Sequence, residues 1–240
     1  MSPHALSTVG RKLLNKCLAL AQASFEQHCL LCDGPSGAEP VCPGCGEDLP
    51  PLPAHCPGCA MPSLANNRCG ACLSHPPPYD ATIAAWSYAF PANRLVHALK
   101  FHGRLQLAPW FARELAGRLE RRPELIVPVP LHRSRLAQRG FNQAHEIARC
   151  LSRLTGVPLA TGGVRRIQAT AAQADLPPGA RRRNVRGAFK CELLLHGVSV
   201  AVVDDVMTTG ATLEELARAL KRAGAQHVTN LVVARTLRDL

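Results

Sequence analysis

Apolar runs and helically spaced apolar residues alternate along the chain from residue 80 to its end. The run Val198–Val203 is almost wholly apolar, which is typical of a strand buried on both faces of a parallel sheet. The pattern predicts strands over 82–88, 125–129, 198–203 and 227–234, and helices over 93–99, 107–121, 142–155 and 213–223. The last helix stops just before Gly224, a residue type that commonly follows a helix end. Strands that alternate with helices indicate an α/β domain with a parallel sheet.

Two segments that differ in composition and in the spacing of apolar residues precede this domain. Residues 1–28 have apolar positions at helical spacing, which predicts an amphipathic helix that packs on the body of the protein or, as the alternative, binds a partner or a membrane surface. Residues 29–80 are rich in Cys, Pro and Gly and have little apolar periodicity, so they need covalent or metal cross-links to fold. The run 76–78 is three prolines, a stiff boundary before the domain 81–240.

The cysteine content bears on the cellular compartment. Eight of the eleven cysteines form four Cys-x-x-Cys pairs. A secreted disulfide protein needs an export signal, but Arg11, Lys12 and Lys16 interrupt the N-terminal apolar stretch, and no run approaches the roughly 20 residues that a membrane span needs. We therefore expect a cytoplasmic protein that is not an integral membrane protein and whose paired cysteines bind metal.

The spacing of the four pairs predicts zinc. Nine residues separate the two pairs in each half, and the sequence CPGC occurs twice, at 42–45 and 56–59. Both features indicate an internal duplication of the cysteine region. Two Cys-x-x-Cys pairs complete a tetrahedral site of four thiolates with no open position, which makes the zinc structural rather than catalytic. We expect one or two zinc ions with sequential pairing, although a cross-braced pairing remains open. The predicted ligands are Cys29, Cys32, Cys42 and Cys45 in one set and Cys56, Cys59, Cys69 and Cys72 in the other.

Positive charge is concentrated in one part of the chain. The formal net charge is +11, and residues 131–190 hold eleven Arg and one Lys against only Glu146 and Asp175. Arginine presents a planar fork of N–H donors that matches pairs of phosphate oxygens. The segment indicates a surface for a polyphosphate or a nucleic acid, unless these arginines form ordinary solvated faces.

The motif with the most specific chemistry is Val202–Thr212, where an apolar strand is predicted to end in Asp204 and Asp205 before a threonine- and glycine-containing turn and a helix. Ligands of open α/β sheets lie beyond the carboxyl ends of the strands, and N–H groups at a helix start attract phosphate. Gly210 permits close approach of the backbone, and the two carboxylates are placed to accept hydrogen bonds from vicinal ribose hydroxyls. A sugar phosphate fits better than a nucleoside triphosphate, because neither a P-loop lysine nor a Gly-x-Gly-x-x-Gly motif is present.

This stretch resembles the motif with which type I phosphoribosyltransferases bind phosphoribosyl pyrophosphate (PRPP). The resemblance implies that Asp204 and Asp205 hold the ribose 2′ and 3′ hydroxyls and that Mg²⁺ bridges the pyrophosphate and the ribose. Purine-salvage members usually have a carboxylate where this chain has Thr208, which disfavours a hypoxanthine or guanine acceptor. The residues that the resemblance assigns to the 5′-phosphate are Thr208, Thr209, Gly210, Ala211 and Thr212.

Further blocks extend the resemblance over about residues 29–240. The basic block 127–144, the segment 170–189 and Leu99–Phe101, together with the cysteine pairs, resemble the ComF family of competence protein F and related double-zinc-ribbon, amidophosphoribosyltransferase-like proteins. The resemblance implies a type I phosphoribosyltransferase fold of the α/β class, with a parallel sheet behind an N-terminal cysteine-rich double zinc ribbon. It also implies a role linked to natural transformation or to the use of external DNA.

The basic segment has a chemical task in such a site. Arg133, Arg135 and Arg139 are the candidate catalytic residues, since they could clamp the pyrophosphate and stabilise the charge that develops on it as it leaves. Residues 170–189 are predicted either to close over the site and exclude water or to form an exposed basic loop.

Three functions are consistent with the sequence. The first is transfer of a phosphoribosyl group from PRPP to an amine or base, with release of pyrophosphate. The second is a non-catalytic sensor of PRPP or a nucleotide, and the third is a nucleic-acid-binding adaptor whose zinc ribbon and basic segment contact single-stranded DNA or DNA-uptake proteins. The intact Asp204–Asp205 pair favours the first two. No N-terminal cysteine nucleophile or glutaminase motif is present, so the chain is not expected to produce ammonia from glutamine.

Overall fold

A computed structural model describes residues 27–168 and 185–237 of the protein. The chain divides into two compact units, residues 1–48 and 49–240. The three-part division into 1–28, 29–80 and 81–240 stays a prediction. Most of the N-terminal amphipathic helix and most of the basic segment 170–189 lie outside the described residues.

The described part of the first unit is small. Strand β1 (Gln27–His28) pairs antiparallel with β2 (Pro35–Gly37), and α1 (Pro43–Glu47) follows. Ser36 joins the turns, because its hydroxyl donates to the carbonyl oxygens of Gln27 and Glu39 at 3.0 and 2.6 Å. Proline at the first position of α1 suits a helix start, where its missing N–H has no helical partner to lose.

The second unit is built on a four-stranded parallel sheet in the order β3-β8-β7-β4. This arrangement confirms the α/β fold class and the four predicted strands. Its strands are β3 (Ala81–Ser87), β4 (Leu125–Pro128), β7 (Ser199–Met207) and β8 (His227–Arg235), and a separate antiparallel hairpin is formed by β5 (Val164–Arg166) and β6 (Phe189–Cys191). Its helices are α2 (Gly70–Ser74), α3 (Ala92–His102), α4 (Leu107–Ala116), α5 (Arg133–Arg139), α6 (Gln143–Thr155) and α7 (Ala211–Arg222).

Helices cover the sheet because its central strands are apolar on both faces. Val200 and Val202 of β7 belong to one buried cluster with Leu213, Leu216 and other residues of α7. Successive strand residues point to opposite faces, and Ala201 and Val203 are just as buried as the valines. Helices α4 and α6 pack on each other and against the sheet.

Strand β7 is longer than the sequence pattern predicts. We expected it to end at Val203, but its pairing with β8 continues through Asp204 and on to Met207, opposite Arg235. A parallel ladder is made by backbone groups, so acidic side chains do not end it while the neighbouring strand continues. The acidic pair therefore lies within the strand, a few residues before the turn, and not after the strand's end.

Other elements also differ from the predictions. Helix α4 ends at Ala116, five residues before the predicted end at Arg121. The basic block after β4, between the predicted strand 125–129 and the predicted helix 142–155, contains the unpredicted helix α5. The His132 ring caps its first turn, and Gly140 at φ +82° closes its end. That left-handed conformation favours glycine and ends the helix.

The segment that carries the second cysteine group lies along the outer edge of the sheet. The N–H of Thr82 donates to Pro57 O and the N–H of Ser87 donates to Pro50 O, both at 2.9 Å. These bonds occupy part of the free edge of β3, which would otherwise expose unpaired backbone groups. Among residues 27–168 and 185–237, no helix has the length and apolar character that a membrane span needs.

Candidate functional site

The eight paired cysteines form two separate groups of four, in the sequential order predicted. The ligand atoms of Cys29, Cys32, Cys42 and Cys45 lie within 4.8 Å of one another, and so do those of Cys56, Cys59, Cys69 and Cys72. The Sγ atoms of Cys32 and Cys42 are 3.8 Å apart, and those of Cys59 and Cys69 are 3.6 Å apart. Each group could hold one metal ion.

The chemistry of these groups fits zinc. A tetrahedron with Zn–S bonds of about 2.3 Å has sulfur–sulfur edges of roughly 3.8 Å, close to both measured separations. The first group also has N–H donors aimed at sulfur, from Leu31 and Cys42 to Cys29 Sγ at 3.5 and 3.4 Å. Burial raises the pKa of Cys29, but such backbone donors outweigh it and lower that pKa to about 6. Four sulfur ligands leave no open position, which is typical of a structural zinc site.

The acidic pair of β7 lies at the carboxyl-terminal part of the sheet. Asp205 is only 4% exposed, and its Oδ2 lies 3.3 Å from Lys100 Nζ at the end of α3. The same oxygen accepts a hydrogen bond from Gln143 Nε2 of α6, also at 3.3 Å. Three elements, β7, α3 and α6, therefore meet at one carboxylate.

Asp204 is held in a form that resists ionisation. Burial, followed by the negative charge of Asp205, raises its pKa well above the ordinary value for an aspartate. The N–H of Asp205, which donates to Asp204 Oδ1 at 2.9 Å, and the charge of Lys100 act in the opposite direction. Adjacent carboxylates, one buried and one half-buried, beside a lysine make this position a candidate functional site.

The turn after β7 presents backbone donors. Within the described part of the chain, the N–H groups of Thr208, Thr209 and Gly210 donate to no other protein group. Gly210 has φ +83°, and a Cβ there would lie 2.8 Å from Met207 Cε, so the turn favours glycine on both grounds. Helix α7 begins at the next residue, Ala211, and its first turn adds the positive end of the helix dipole.

The three predicted arginines differ in how they are connected to the acidic pair. Arg139 Nη1 donates to Gln143 Oε1 at 2.7 Å, and that glutamine contacts Asp205. Burial lowers the pKa of Arg139, while the charge of Asp205 acts to raise it. Arg135 is close enough to Arg139 to act on its pKa. Arg133 is exposed at the start of α5 and has no contact with the pair among the described residues.

Sequence reasoning missed two members of the site. Gln143 lies at the end of the basic block that we singled out, but we gave it no role. Arg166 of β5 is half-buried. Its partial burial and then the charge of Arg135 lower its pKa, while the charge of Asp204 acts to raise it. Its guanidinium carbon lies 5.5 Å from the centroid of the Phe189 ring. Nothing in the local pattern around Arg166 distinguishes it from the other arginines of the segment.

A parallel sheet with an acidic pair in β7, followed by a donor-bearing turn and a helix, defines the protein as one with a phosphoribosyltransferase-type domain. In agreement, residues 136–239 match the phosphoribosyl transferase domain family. A protein of Salmonella typhi named DNA utilization protein YhgH is 38% identical over 205 residues, which cover 82% of this chain and 85% of that protein. Competence protein F of Haemophilus influenzae is 32% identical over 217 residues, covering 85% of this chain and 95% of that protein. The chain belongs to the family of these two proteins, the ComF family.

A solved structure was also found, that of the purine phosphoribosyltransferase from Pyrococcus horikoshii Ot3. It covers 65% of this chain and 87% of its own, with 18% sequence identity and a TM-score of 0.32. A likeness at that level carries no argument, so the assignment of the fold depends on the observed sheet and on the family match.

Proposed function

We propose that the protein binds PRPP at the acidic pair and the following turn, and that it transfers the phosphoribosyl group to an acceptor with release of pyrophosphate. The observation that supports the proposal is the order of functional groups along β7 and the turn that follows it. Two carboxylates are followed within five residues by three N–H groups that have no protein partner in the described part of the chain. This order matches a ligand with vicinal hydroxyls at one end and a phosphate at the other.

The two ends of the ligand have separate partners in this proposal. The ribose 2′ and 3′ hydroxyls donate hydrogen bonds to Asp204 and Asp205. The 5′-phosphate accepts hydrogen bonds from the turn, in which the threonine hydroxyls add to the backbone donors. Its proposed partners are Thr208, Thr209, Gly210, Ala211 and Thr212.

The leaving group is stabilised by cations around the acidic pair. When the bond between ribose C1 and the pyrophosphate oxygen breaks, positive charge grows on the sugar and negative charge grows on the pyrophosphate. Lys100 contacts Asp205 directly and Arg139 is connected to it through Gln143, and Arg135 and Arg133 would extend the clamp outward. Fixed charges of this kind act where charge develops in the transition state.

Magnesium is the proposed cofactor of this step. Mg²⁺ prefers oxygen ligands, and it is usually bound through one or two carboxylates together with phosphate oxygens of the substrate. Asp204 and Asp205 are the carboxylates that could hold it. Ionisation of Asp204, which burial opposes, would be favoured by the arrival of the cation.

The test is incubation with PRPP, Mg²⁺ and a panel of bases and amines, with pyrophosphate release as the measured quantity. We expect release with at least one acceptor. Arg139→Gln should slow it by at least about tenfold, since loss of one donor that stabilises developing charge commonly costs more than that. Arg153→Gln, which removes an exposed arginine from α6, is the charge-matched control and should leave the rate unchanged. PRPP binding without release for any acceptor would support the sensor alternative instead.

A link to DNA is a second proposal, supported by the arginine content of residues 131–190 and by the names of the relatives. We propose that single-stranded DNA, directly or with DNA-uptake proteins, is a partner. Binding of an oligonucleotide should weaken at least about tenfold between roughly 50 and 200 mM salt, because Arg–phosphate contacts release condensed counterions. An affinity that does not change with salt would argue against these contacts.

We propose that the protein is located in the cytoplasm, where reducing conditions keep thiolate ligands available.

A further inference from the structure

A buried arginine at the end of β8 connects the second cysteine group to the turn after β7. Arg235 is 4% exposed, and its Nε donates to the carbonyl oxygen of Cys59 at 2.8 Å. Its Nη1 donates to the carbonyl oxygen of Met207 at 2.8 Å and also to that of Thr208. One guanidinium group therefore bonds to the backbone of a metal-ligand turn and to the backbone of the proposed phosphate turn.

These bonds fix the direction of the N–H groups in the turn. In a trans peptide unit the C=O of one residue and the N–H of the next point in opposite directions. Arg235 donates to the C=O groups of Met207 and Thr208, and the N–H of Thr236 also donates to Met207 O at 3.0 Å. The N–H groups of Thr208 and Thr209 therefore point away from Arg235. Both N–H groups are without a protein partner among the described residues. The arginine thus orients the N–H of Thr209, and together with Thr236 that of Thr208, which are donors that the proposed function assigns to the 5′-phosphate.

The connection to the metal group has a second buried component. Tyr79, which is 3% exposed, belongs to the same apolar cluster as Ala60, Met207 and Ala211. Ala60 directly follows Cys59, and Met207 and Ala211 flank the turn. The Tyr79 hydroxyl lies 3.4 Å from the position that a Cβ on Gly210 would take. Packing and hydrogen bonding therefore both join the 56–59 turn to the 207–211 turn.

We propose that Arg235 is a positioning residue through which metal occupancy of the second cysteine group sets the affinity of the turn for a phosphate. Metal binding fixes the turn that carries the Cys59 carbonyl. Without metal, that acceptor is free to move, and a buried guanidinium that loses an acceptor shifts to find another. The C=O of Met207 keeps its hydrogen bond from the N–H of Thr236, but the C=O of Thr208 loses its fixed orientation. The N–H of Thr209 then loses the preorganisation on which affinity depends. The choice of PRPP as the phosphate ligand rests on the proposed function.

Variants of the ligand cysteines distinguish the effect of losing the metal from the effect of substituting the residue. Cys69→Ser should leave one zinc per chain and weaken PRPP binding at least about tenfold, the loss expected when one well-oriented charged hydrogen bond is disrupted. Cys69→His keeps a metal ligand at the same position, so it should retain two zinc ions and most of the affinity. Cys42→Ser removes metal from the first group, in the other compact unit, and should retain the affinity. Wild-type affinity in Cys69→Ser with one zinc per chain would overturn the proposal.

The arginine itself is tested by Arg235→Lys, which keeps the positive charge but cannot reach both turns with one ammonium group. We expect two zinc ions per chain, weaker PRPP binding, and changed ¹⁵N–¹H resonance positions for Thr208 and Thr209. If this variant does not fold, the same spectroscopic comparison is made on the wild-type protein after a chelator has removed zinc, at a temperature below the unfolding midpoint of the zinc-depleted protein. Unchanged resonances of both threonines in the zinc-depleted protein would contradict the coupling.

The resonance measurement does not depend on PRPP, so failure of the two proposals can be distinguished. If the wild-type protein binds no PRPP, the proposed function fails, and the coupling is decided by the Thr208 and Thr209 resonances alone. If the wild-type protein binds PRPP and the affinity is the same with and without metal in the second cysteine group, the proposed function stands and the coupling fails.

Discussion

Replacement of both Asp204 and Asp205 by alanine is expected to abolish PRPP binding while the sheet stays folded. Each carboxylate is proposed to accept a hydrogen bond from a ribose hydroxyl and to contribute to a Mg²⁺ site. Hydrogen bonds to charged groups contribute about 1.5–3 kcal/mol each, so the loss of two predicts an affinity at least about 100-fold lower. Titration calorimetry of the variant and the wild-type protein with PRPP and Mg²⁺ measures this loss.

Thermal unfolding is the control for the acidic pair. The folded-state pKa of Asp204 is raised, so its ionised form destabilises the fold at any pH above the unfolded-state pKa. Asp204→Asn alone should therefore raise the unfolding midpoint at neutral pH while it weakens PRPP binding. The increase should shrink as the pH falls toward the unfolded-state pKa, where the wild-type carboxyl is protonated in both states. A variant that loses both stability and binding would indicate a structural role for Asp204 instead.

Removal of zinc is expected to destabilise the protein more than any single substitution. Metal binding by four thiolates supplies roughly 10 kcal/mol or more of folding free energy per site, whereas whole domains are stable by only about 5–15 kcal/mol. The second group lies on the segment whose backbone bonds to the edge of β3. We therefore expect a strong chelator to lower the unfolding midpoint steeply, and added zinc to restore it.

The remaining cysteines of residues 27–168 and 185–237 provide a matched control for the zinc prediction. Cys150 and Cys191 lie outside both groups of four. The double variant Cys150→Ser and Cys191→Ser should retain two zinc ions per chain and its response to the chelator. A wild-type protein that contains no zinc, or whose unfolding midpoint is the same with and without the chelator, would refute the structural role of the two groups.

The parts of the fold that depend on local pattern could be predicted. The apolar run that starts near Val198 and the regular spacing in α6 and α7 each identify their own element, since burial selects apolar residues at fixed intervals. The grouping of the eight cysteines follows from the nine-residue gap repeated in each half. The end of β7 could not be predicted in this way, because it is decided by pairing with β8 and not by the acidic side chains themselves.

The candidate site could be predicted only where its residues are consecutive. Asp204, Asp205 and the turn that follows lie in one short stretch, so their chemistry can be read along the chain. The partners come from elsewhere: Gln143 is 62 positions from Asp205, and the carbonyl of Cys59 is 176 positions from Arg235. No local sequence pattern predicts such contacts, because they arise from the order of strands in the sheet and from the packing of the second cysteine segment on it.

The most direct test of the central claim is a calorimetric titration of the wild-type protein with PRPP in the presence of Mg²⁺, with ribose 5-phosphate as the comparison ligand. The account predicts saturable binding of one PRPP per chain, and weaker binding of ribose 5-phosphate, which lacks the pyrophosphate that the cations around Asp205 would hold. A titration with no saturable heat, or one whose affinity is the same in the variant without the two carboxylates, would contradict it.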